Sequence, residues 1–265
     1  VDIHEGRANA NVLLTRLLWA GIDDGIRLGY IDGGGLRNAI PREANAWVTV
    51  SDIDSYLNRL KLLKSEIIEE YKNVEEDMKI TFDTIYINEP IMSIQDSVKL
   101  IQSLTAAHNG VFRMSPDVAG LVEASNNIAR IMLKEGKAEV MCLSRSSAES
   151  TKMAVANQLQ SSFELAGMDV LLSGSYPGWK PNPKSRILDV MEKLYLEKFN
   201  SKPRVDVIHA GLECGIIGAH YPKMEMVSFG PTIKGAHSPE ERVSIQSVQK
   251  FWGYLLDILK AIPEK

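Results

Sequence analysis

Cysteine is nearly absent: Cys142 and Cys214 are the two in 265 residues, too few for a disulfide framework and without zinc-motif spacing. They read as two small buried thiols in a reducing compartment, which points to a cytoplasmic protein. No charge of one sign dominates, since 30 basic residues face 34 acidic ones for a net charge of −4. That balance leaves no electrostatic footprint for nucleic acid or an anionic membrane. No apolar run is long enough to span a bilayer, because even Leu13–Ile22 is short and interrupted by Arg16. The opening segment Val1–Arg7 has neither an initiator Met nor an apolar stretch, so no secretory signal is expected, and the chain reads as an excised piece. Also missing are a Gly-x-Gly-x-x-Gly fingerprint and a His-x-Asp pair: none of the five histidines has Asp two positions later. What remains, with 45% hydrophobic and 24% charged residues, is the composition of a soluble globular chain with room for two domains.

The pattern of apolar residues supplies the elements. Asn9–Ala20 carries Val12, Leu13, Leu17, Leu18 and Trp19 at near-helical spacing. A strand over about Ile26–Ile31 leads to a turn at Asp32–Gly35, and a second strand near Ala46–Val50 runs into Ser51-Asp52-Ile53-Asp54, a capped helix start. That helix places Ile53, Tyr56, Leu57, Leu60, Leu63, Ile67 and Ile68 on one face. Lys79–Ile87 alternates as a strand does. The order then recurs: a helix over Ser93–Ala107, strands near Gly120–Ala124 and Ala138–Leu143, a helix from Ser146 to a C-terminal Gly167, and a strand over Met168–Leu172. This predicts an α+β domain made of a duplicated helix–strand–strand–helix–strand module, with coincidence as the competing explanation.

Tyr176–Pro183 holds three prolines and a glycine in eight residues, which neither helix nor strand tolerates. The domain boundary is therefore placed there, giving residues 1–182 and 183–265. The second part reads as helix (Lys184–Phe199), strand (Arg204–His209), short helix (Leu212–Gly218), strand (Met224–Ser228) and long helix (Pro239–Ala261), an α/β arrangement. Two strands make too small a sheet to stand alone, so this part is expected to complete a sheet supplied from elsewhere.

Few residues offer chemistry. His237 precedes Ser238-Pro239-Glu240-Glu241, a helix-start signature that would hold the imidazole rigidly beside a helix end; sealing that end and ligating a metal both fit. Glu213 lies between Gly211 and Gly215, where it either receives a substrate ammonium group or is simply solvated. Arg145 stands between a strand and a helix start, either solvated or clamping a carboxylate through two parallel hydrogen bonds. Gly33-Gly34-Gly35 does not lead into a helix, so it is a turn and not a phosphate cradle.

Five segments together resemble one family: His4–Asn11 (HEGRANAN), Gly33–Ala44 (GGGLRNAIPREA), Tyr176–Asn182 (YPGWKPN), Val207–Gly215 (VIHAGLECG) and Gly230–Glu241 (GPTIKGAHSPEE). The chain resembles the C-terminal half of the bacterial aminoacyl-histidine dipeptidases, the cytosolic non-specific di-zinc dipeptidases. The resemblance implies a lid or association domain at residues 1–182 and the C-terminal part of a catalytic domain at 183–265. It implies His237 as a zinc ligand, Asn38 as a polar contact to substrate, and Arg145 as the holder of a dipeptide's C-terminal carboxylate. It also implies two zinc ions in a complete enzyme, and if the lid offers open sheet edges, self-pairing through residues 1–182 would give a homodimer. The family's His-x-Asp motif and its catalytic Glu-Glu pair are missing here. Glu69-Glu70 and Glu75-Glu76 fall on or at the end of a polar helix face, Glu240-Glu241 caps a helix, and His4 lies beyond the position of the family's lid histidine. This chain alone is thus expected to be inactive. A related aminoacylase or carboxypeptidase, or a non-catalytic association module, are the alternatives.

Overall fold

The computed structural model describes residues 3–86, 90–116, 118–179, 182, 184–206, 213–235 and 241–262. The chain divides into two compact units, Val1–Ser175 and Tyr176–Lys265, with the break at the head of the proline-rich run.

The first unit begins with helix α1 (Ala10–Trp19), whose start is fixed by Asn9: its side-chain oxygen accepts from the N–H groups of Asn11 and Val12. Strands β1 (Arg27–Gly34) and β2 (Ala44–Thr49) form an antiparallel pair, followed by helix α2 (Ile53–Tyr71), capped by Asp52. Helix α3 (Ile94–Ala106), capped by Ser93, leads to β3 (Gly110–Met114), β4 (Val122–Lys134) and β5 (Lys137–Ser146), and helix α4 (Glu149–Glu164) ends the series. Gly136, at φ +74°, makes the tight β4–β5 turn possible.

All five strands belong to one antiparallel sheet centred on β4. One edge of β4 pairs with β5 along its length. Its other edge is shared: β3 pairs with Val122–Asn126, and β1 pairs with Arg130–Leu133. Ile128, Ile131 and Leu133 of β4 join Ala138, Val140 and Cys142 of β5 on the face that packs against Leu13, Leu17, Tyr56, Leu60, Leu100, Leu104, Val155 and Phe163 from the helices. Helices therefore cover one face of the sheet, an α+β layering.

Several expectations are corrected. The duplicated module does not appear in the form anticipated, because both halves feed a single sheet and neither α2 nor α4 is followed by a paired strand among the described residues. At 79–86 and 168–172 the chain lies outside any ladder, although Met78, Ile80 and Phe82, and likewise Met168 and Val170, pack on the core in alternation. Alternation there reports one buried face; it carries no information about a backbone partner. Strand β4 runs straight through Asn126-Asn127, beyond the end expected near Ala124, and β1 continues through Gly33 and Gly34, which read as a turn.

The second unit holds helices α5 (Arg186–Phe199), α6 (Glu213–His220) and α7 (Ile245–Ala261), plus two two-residue antiparallel strands, β6 (Ile233–Lys234) and β7 (Arg242–Val243). Its small core is Met191, Tyr254 and Ile258, ringed by Ile187, Leu194, Tyr195, Phe199 and Val227. The expected α/β strands at 204–206 and 224–228 are not paired among the described residues, in keeping with how little two strands gain without a sheet to join. Nor does the last helix start at Pro239. Arg242 and Val243 pair with β6 instead, and Ser244 caps α7 by accepting from the Ser247 N–H. Ser238, Pro239 and Glu240 lie outside the described residues.

Candidate functional site

The loop between β1 and β2 carries Asn38, and its geometry starts at two glycines. Gly34 has φ +74° and sits so close to β4 that an added Cβ would lie 2.0 Å from the Ala129 carbonyl oxygen. A Cβ on Gly33 would lie 2.0 Å from Asn11 Oδ1. Glycine at both permits close approach, of the Gly34 backbone to β4 and of the Gly33 backbone to the Asn11 side chain of α1. Beyond them the loop is tied down by backbone bonds: Gly34 N–H donates to the Glu43 carbonyl (3.0 Å), Ala39 N–H to Leu36 (3.1 Å) and Ala10 N–H to Pro41 (3.0 Å). Arg130 Nη1 also donates to the Gly34 carbonyl (2.7 Å) and pairs with Asp32.

Beneath the loop is a buried asparagine cluster that spacing alone did not single out. Asn127 Nδ2 donates to the carbonyls of Arg37 (3.2 Å) and Ala39 (2.7 Å). Asn9 Nδ2 donates to Asn127 Oδ1 (3.0 Å), Asn109 Oδ1 (3.1 Å) and the Ile128 carbonyl (3.2 Å). Asn11 Nδ2 also reaches the Ile128 carbonyl (3.1 Å), and the Ile128 N–H donates to Asn109 Oδ1 (2.9 Å). These amides satisfy the backbone of β4 at the gap between its two half-length neighbours, where no strand does so. A recess of about 150 Å³ behind the loop is lined in part by Arg7, Asn9, Ile40, Tyr71, Asn109 and Asn127. Asn38 itself is exposed, and its side-chain amide meets no described partner.

Arg145 is near the end of β5, opposite Ser125, while Leu143 stands opposite Asn127. Pairs directly opposite share a face, as do residues two apart, so Arg145 and Asn127 lie on the same face of the sheet, turned from the helices. Diagonal neighbours of this kind are roughly 7–8 Å apart. Arg145 is half-buried, and its guanidinium makes no hydrogen bond or ion pair with a described residue. The first unit thus brings the supports of Asn38 and Arg145 onto one face.

In the second unit Glu213 is the exposed first residue of α6. The glycine after it has a packing role: a Cβ on Gly215 would meet the Pro177 carbonyl oxygen at 2.4 Å. His237 lies outside the described residues, as do His209 and Gly211. Among the described residues no three His, Cys, Asp or Glu side chains gather as a metal site would require, so these residues do not by themselves form a zinc centre. Of the two thiols, Cys142 faces the core on β5, and burial pushes its pKa up to about 11, against a smaller lowering effect of its contact with Asn126. That is the signature of a structural thiol, not a nucleophile. No described helix is long and apolar enough to cross a membrane.

The chain is 40% identical, over 272 aligned positions, to the cytosol non-specific dipeptidase of Escherichia coli K12, a match covering all of this chain and 55% of that protein. It is similar throughout to the C-terminal part of that dipeptidase. A crystal structure of aminoacylhistidine dipeptidase from Vibrio alginolyticus superposes with a TM-score of 0.91 at 43% identity, again covering all of this chain and 55% of the other. The chain thus spans about half the length of the relatives it matches. No family model matches.

Proposed function

We propose that this chain acts as the C-terminal part of a cytoplasmic zinc dipeptidase that hydrolyses dipeptides such as aminoacyl-histidine. The observation that carries this reading is similarity to dipeptidases along the whole chain, at 40% identity. In this proposal residues 1–182 serve as a lid and association domain, and residues 183–265 complete the catalytic domain. Arg145, half-buried and with no described partner for its guanidinium, is suited to grip the dipeptide's C-terminal carboxylate bidentately. Asn38 offers an amide from a loop tied at both ends, and Glu213 offers a carboxylate to the substrate ammonium. His237 supplies one imidazole ligand for zinc, with the remaining ligands and the general base contributed by residues outside this chain. The outer edges of β2 and β5, which have no strand partner among the described residues, suit pairing with a second copy in a homodimer.

Arg145 provides the test. In the complete enzyme, Arg145→Ala should lower kcat/KM for free dipeptides by about 30- to 1000-fold, the effect of losing a charged hydrogen-bond partner worth about 2–4 kcal/mol. Carboxyl-amidated dipeptides should lose far less. Equal losses on both substrates would show that Arg145 is structural, and no dipeptide hydrolysis by the complete wild-type enzyme would defeat the reading as a whole. The 265-residue chain by itself should show neither stoichiometric tight zinc binding nor hydrolysis.

A further inference from the structure

Asn127 meets the Asn38 loop in an unusual way: its amide nitrogen bridges the two carbonyls that flank Asn38, at 3.2 Å to Arg37 and 2.7 Å to Ala39. An amide has one donor end and one acceptor end, so its orientation must be specified. Asn9 specifies it. The Asn9 oxygen is committed to capping α1, where it accepts from Asn11 N–H (2.9 Å) and Val12 N–H (3.2 Å). Its Nδ2 therefore points the other way and donates to Asn127 Oδ1, which leaves Asn127 Nδ2 facing the loop. Both asparagines are buried, at 4% and 7% exposure, whereas Asn38 is exposed. A helix cap, a strand residue and a surface loop are thus linked by bonds whose direction cannot be reversed without breaking the cap.

We propose that Asn127, oriented by Asn9, is the positioning residue that sets Asn38 for contact with substrate, a role that rests on the reading of Asn38 given above. Because Asn127 also belongs to the β4–β5 ladder that carries Arg145, the same residue fixes the loop to the strand pair that holds the carboxylate clamp. The geometry ties the backbone on both sides of Asn38 to Asn127, so the placement of Asn38 depends on that amide. Displacement of a substrate-contacting group by about 1 Å costs on the order of 100-fold in rate.

The test uses the complete enzyme and four variants: Asn127→Asp, Asn127→Ser, Asn38→Ala and the Asn38→Ala/Asn127→Ser double variant. Aspartate keeps the shape and the acceptor for Asn9 but turns an oxygen toward two carbonyls. Serine adds no charge and is too short to bridge them. Each Asn127 variant should lower kcat by about 10- to 100-fold with a much smaller change in KM. Each should also accelerate tryptic cleavage after Arg37 at temperatures well below unfolding. Added to Asn38→Ala, Asn127→Ser should reduce kcat by less than about threefold, since the group it positions is already gone. Full multiplication of the two losses would assign Asn127 a general structural role and overturn the proposal. An impaired Asn38→Ala enzyme beside fully active Asn127 variants would overturn it as well. A fully active Asn38→Ala enzyme would instead overturn the substrate reading of Asn38, and the proposal with it, while faster cleavage after Arg37 in the Asn127 variants would still identify the clamp.

Discussion

Three consecutive glycines, Gly33, Gly34 and Gly35, should respond to alanine in three different ways. At Gly34 the backbone has φ +74°, which costs an L-residue with a Cβ about 1–2 kcal/mol. The new Cβ would also lie 2.0 Å from the Ala129 carbonyl oxygen. Backbone cannot swing aside as a side chain does, so β1 must separate from β4 near the Gly34–Arg130 pair, an overpacking cost of about 1–3 kcal/mol. The sum is about 2–5 kcal/mol for Gly34→Ala. At Gly33 the obstacle is Asn11 Oδ1 at 2.0 Å, a side-chain atom, but one fully buried and bonded through Nδ2 to the Ile128 carbonyl. Overpacking by about 1–3 kcal/mol and a lost hydrogen bond of about 1 kcal/mol give roughly 2–4 kcal/mol for Gly33→Ala. At Gly35 nothing lies within 4 Å of the added carbon and φ is ordinary, so Gly35→Ala should be neutral or stabilise by up to about 1 kcal/mol. Urea unfolding followed by circular dichroism reads all three. Destabilisation by Gly35→Ala comparable to the others, or a neutral Gly34→Ala, would refute the claim that close approach, to β4 at Gly34 and to Asn11 at Gly33, is what calls for glycine here.

Other consequences follow from the cores of the two units. Cys142, whose pKa is raised by burial, disfavours its thiolate in the fold, so its contribution is fully present below the ordinary thiol value and is lost as pH rises toward about 11; Cys142→Ser should abolish that part of the alkaline loss in a pH series of melting temperatures, and native Cys142 should resist alkylation at pH 8. Tyr254 donates to the Met191 carbonyl at 2.6 Å and packs against Tyr195, Phe199 and Phe229, so Tyr254→Phe should cost about 0.5–1.5 kcal/mol and Tyr254→Ala about 3–5 kcal/mol in urea unfolding of the second unit. In the complete enzyme His237→Ala should leave the melting temperature in chelator nearly unchanged while reducing bound zinc and turnover, measured by metal analysis and dipeptide hydrolysis; unchanged zinc content would remove His237 from the ligand set.

Local signals carried most of the elements. Asn9, Asp52 and Ser93 cap their helices as side chains of that type do, because a cap is decided within three or four residues of sequence. Pairing is decided at long range, and there the sequence misled. Asn126 and Asn127 lie between the two strands expected there, yet β4 continues through them because distant groups satisfy their amides: the His108 carbonyl and Ser144 Oγ for Asn126, and the Arg37–Ala39 turn and Asn9 for Asn127. Conversely, Ile80, Phe82, Met168 and Val170 alternate as strand residues do and bury that face, but no described backbone pairs with theirs.

The site was legible in a different sense. Resemblance drew attention to Asn38 and Arg145 one at a time, and for Arg145 the local sequence reads as readily as a solvated surface side chain. Neither periodicity nor spacing relates position 38 to position 145, since the connection runs through a third residue between them in the chain. Asn127 supplies it, by holding the carbonyls on either side of Asn38 and by sharing a sheet face with Arg145. An asparagine in the proposed role leaves no motif, because that role rests on the fixed direction of its amide, and the direction originates at Asn9, 118 residues away. The HEGRANAN segment contains the decisive residue, but read locally it announces only a helix start. Asparagine is costly to bury without partners, so two such residues at 4% and 7% exposure demand a complete set of hydrogen bonds. Following those bonds from partner to partner leads from the helix cap, through β4, to the loop that presents Asn38.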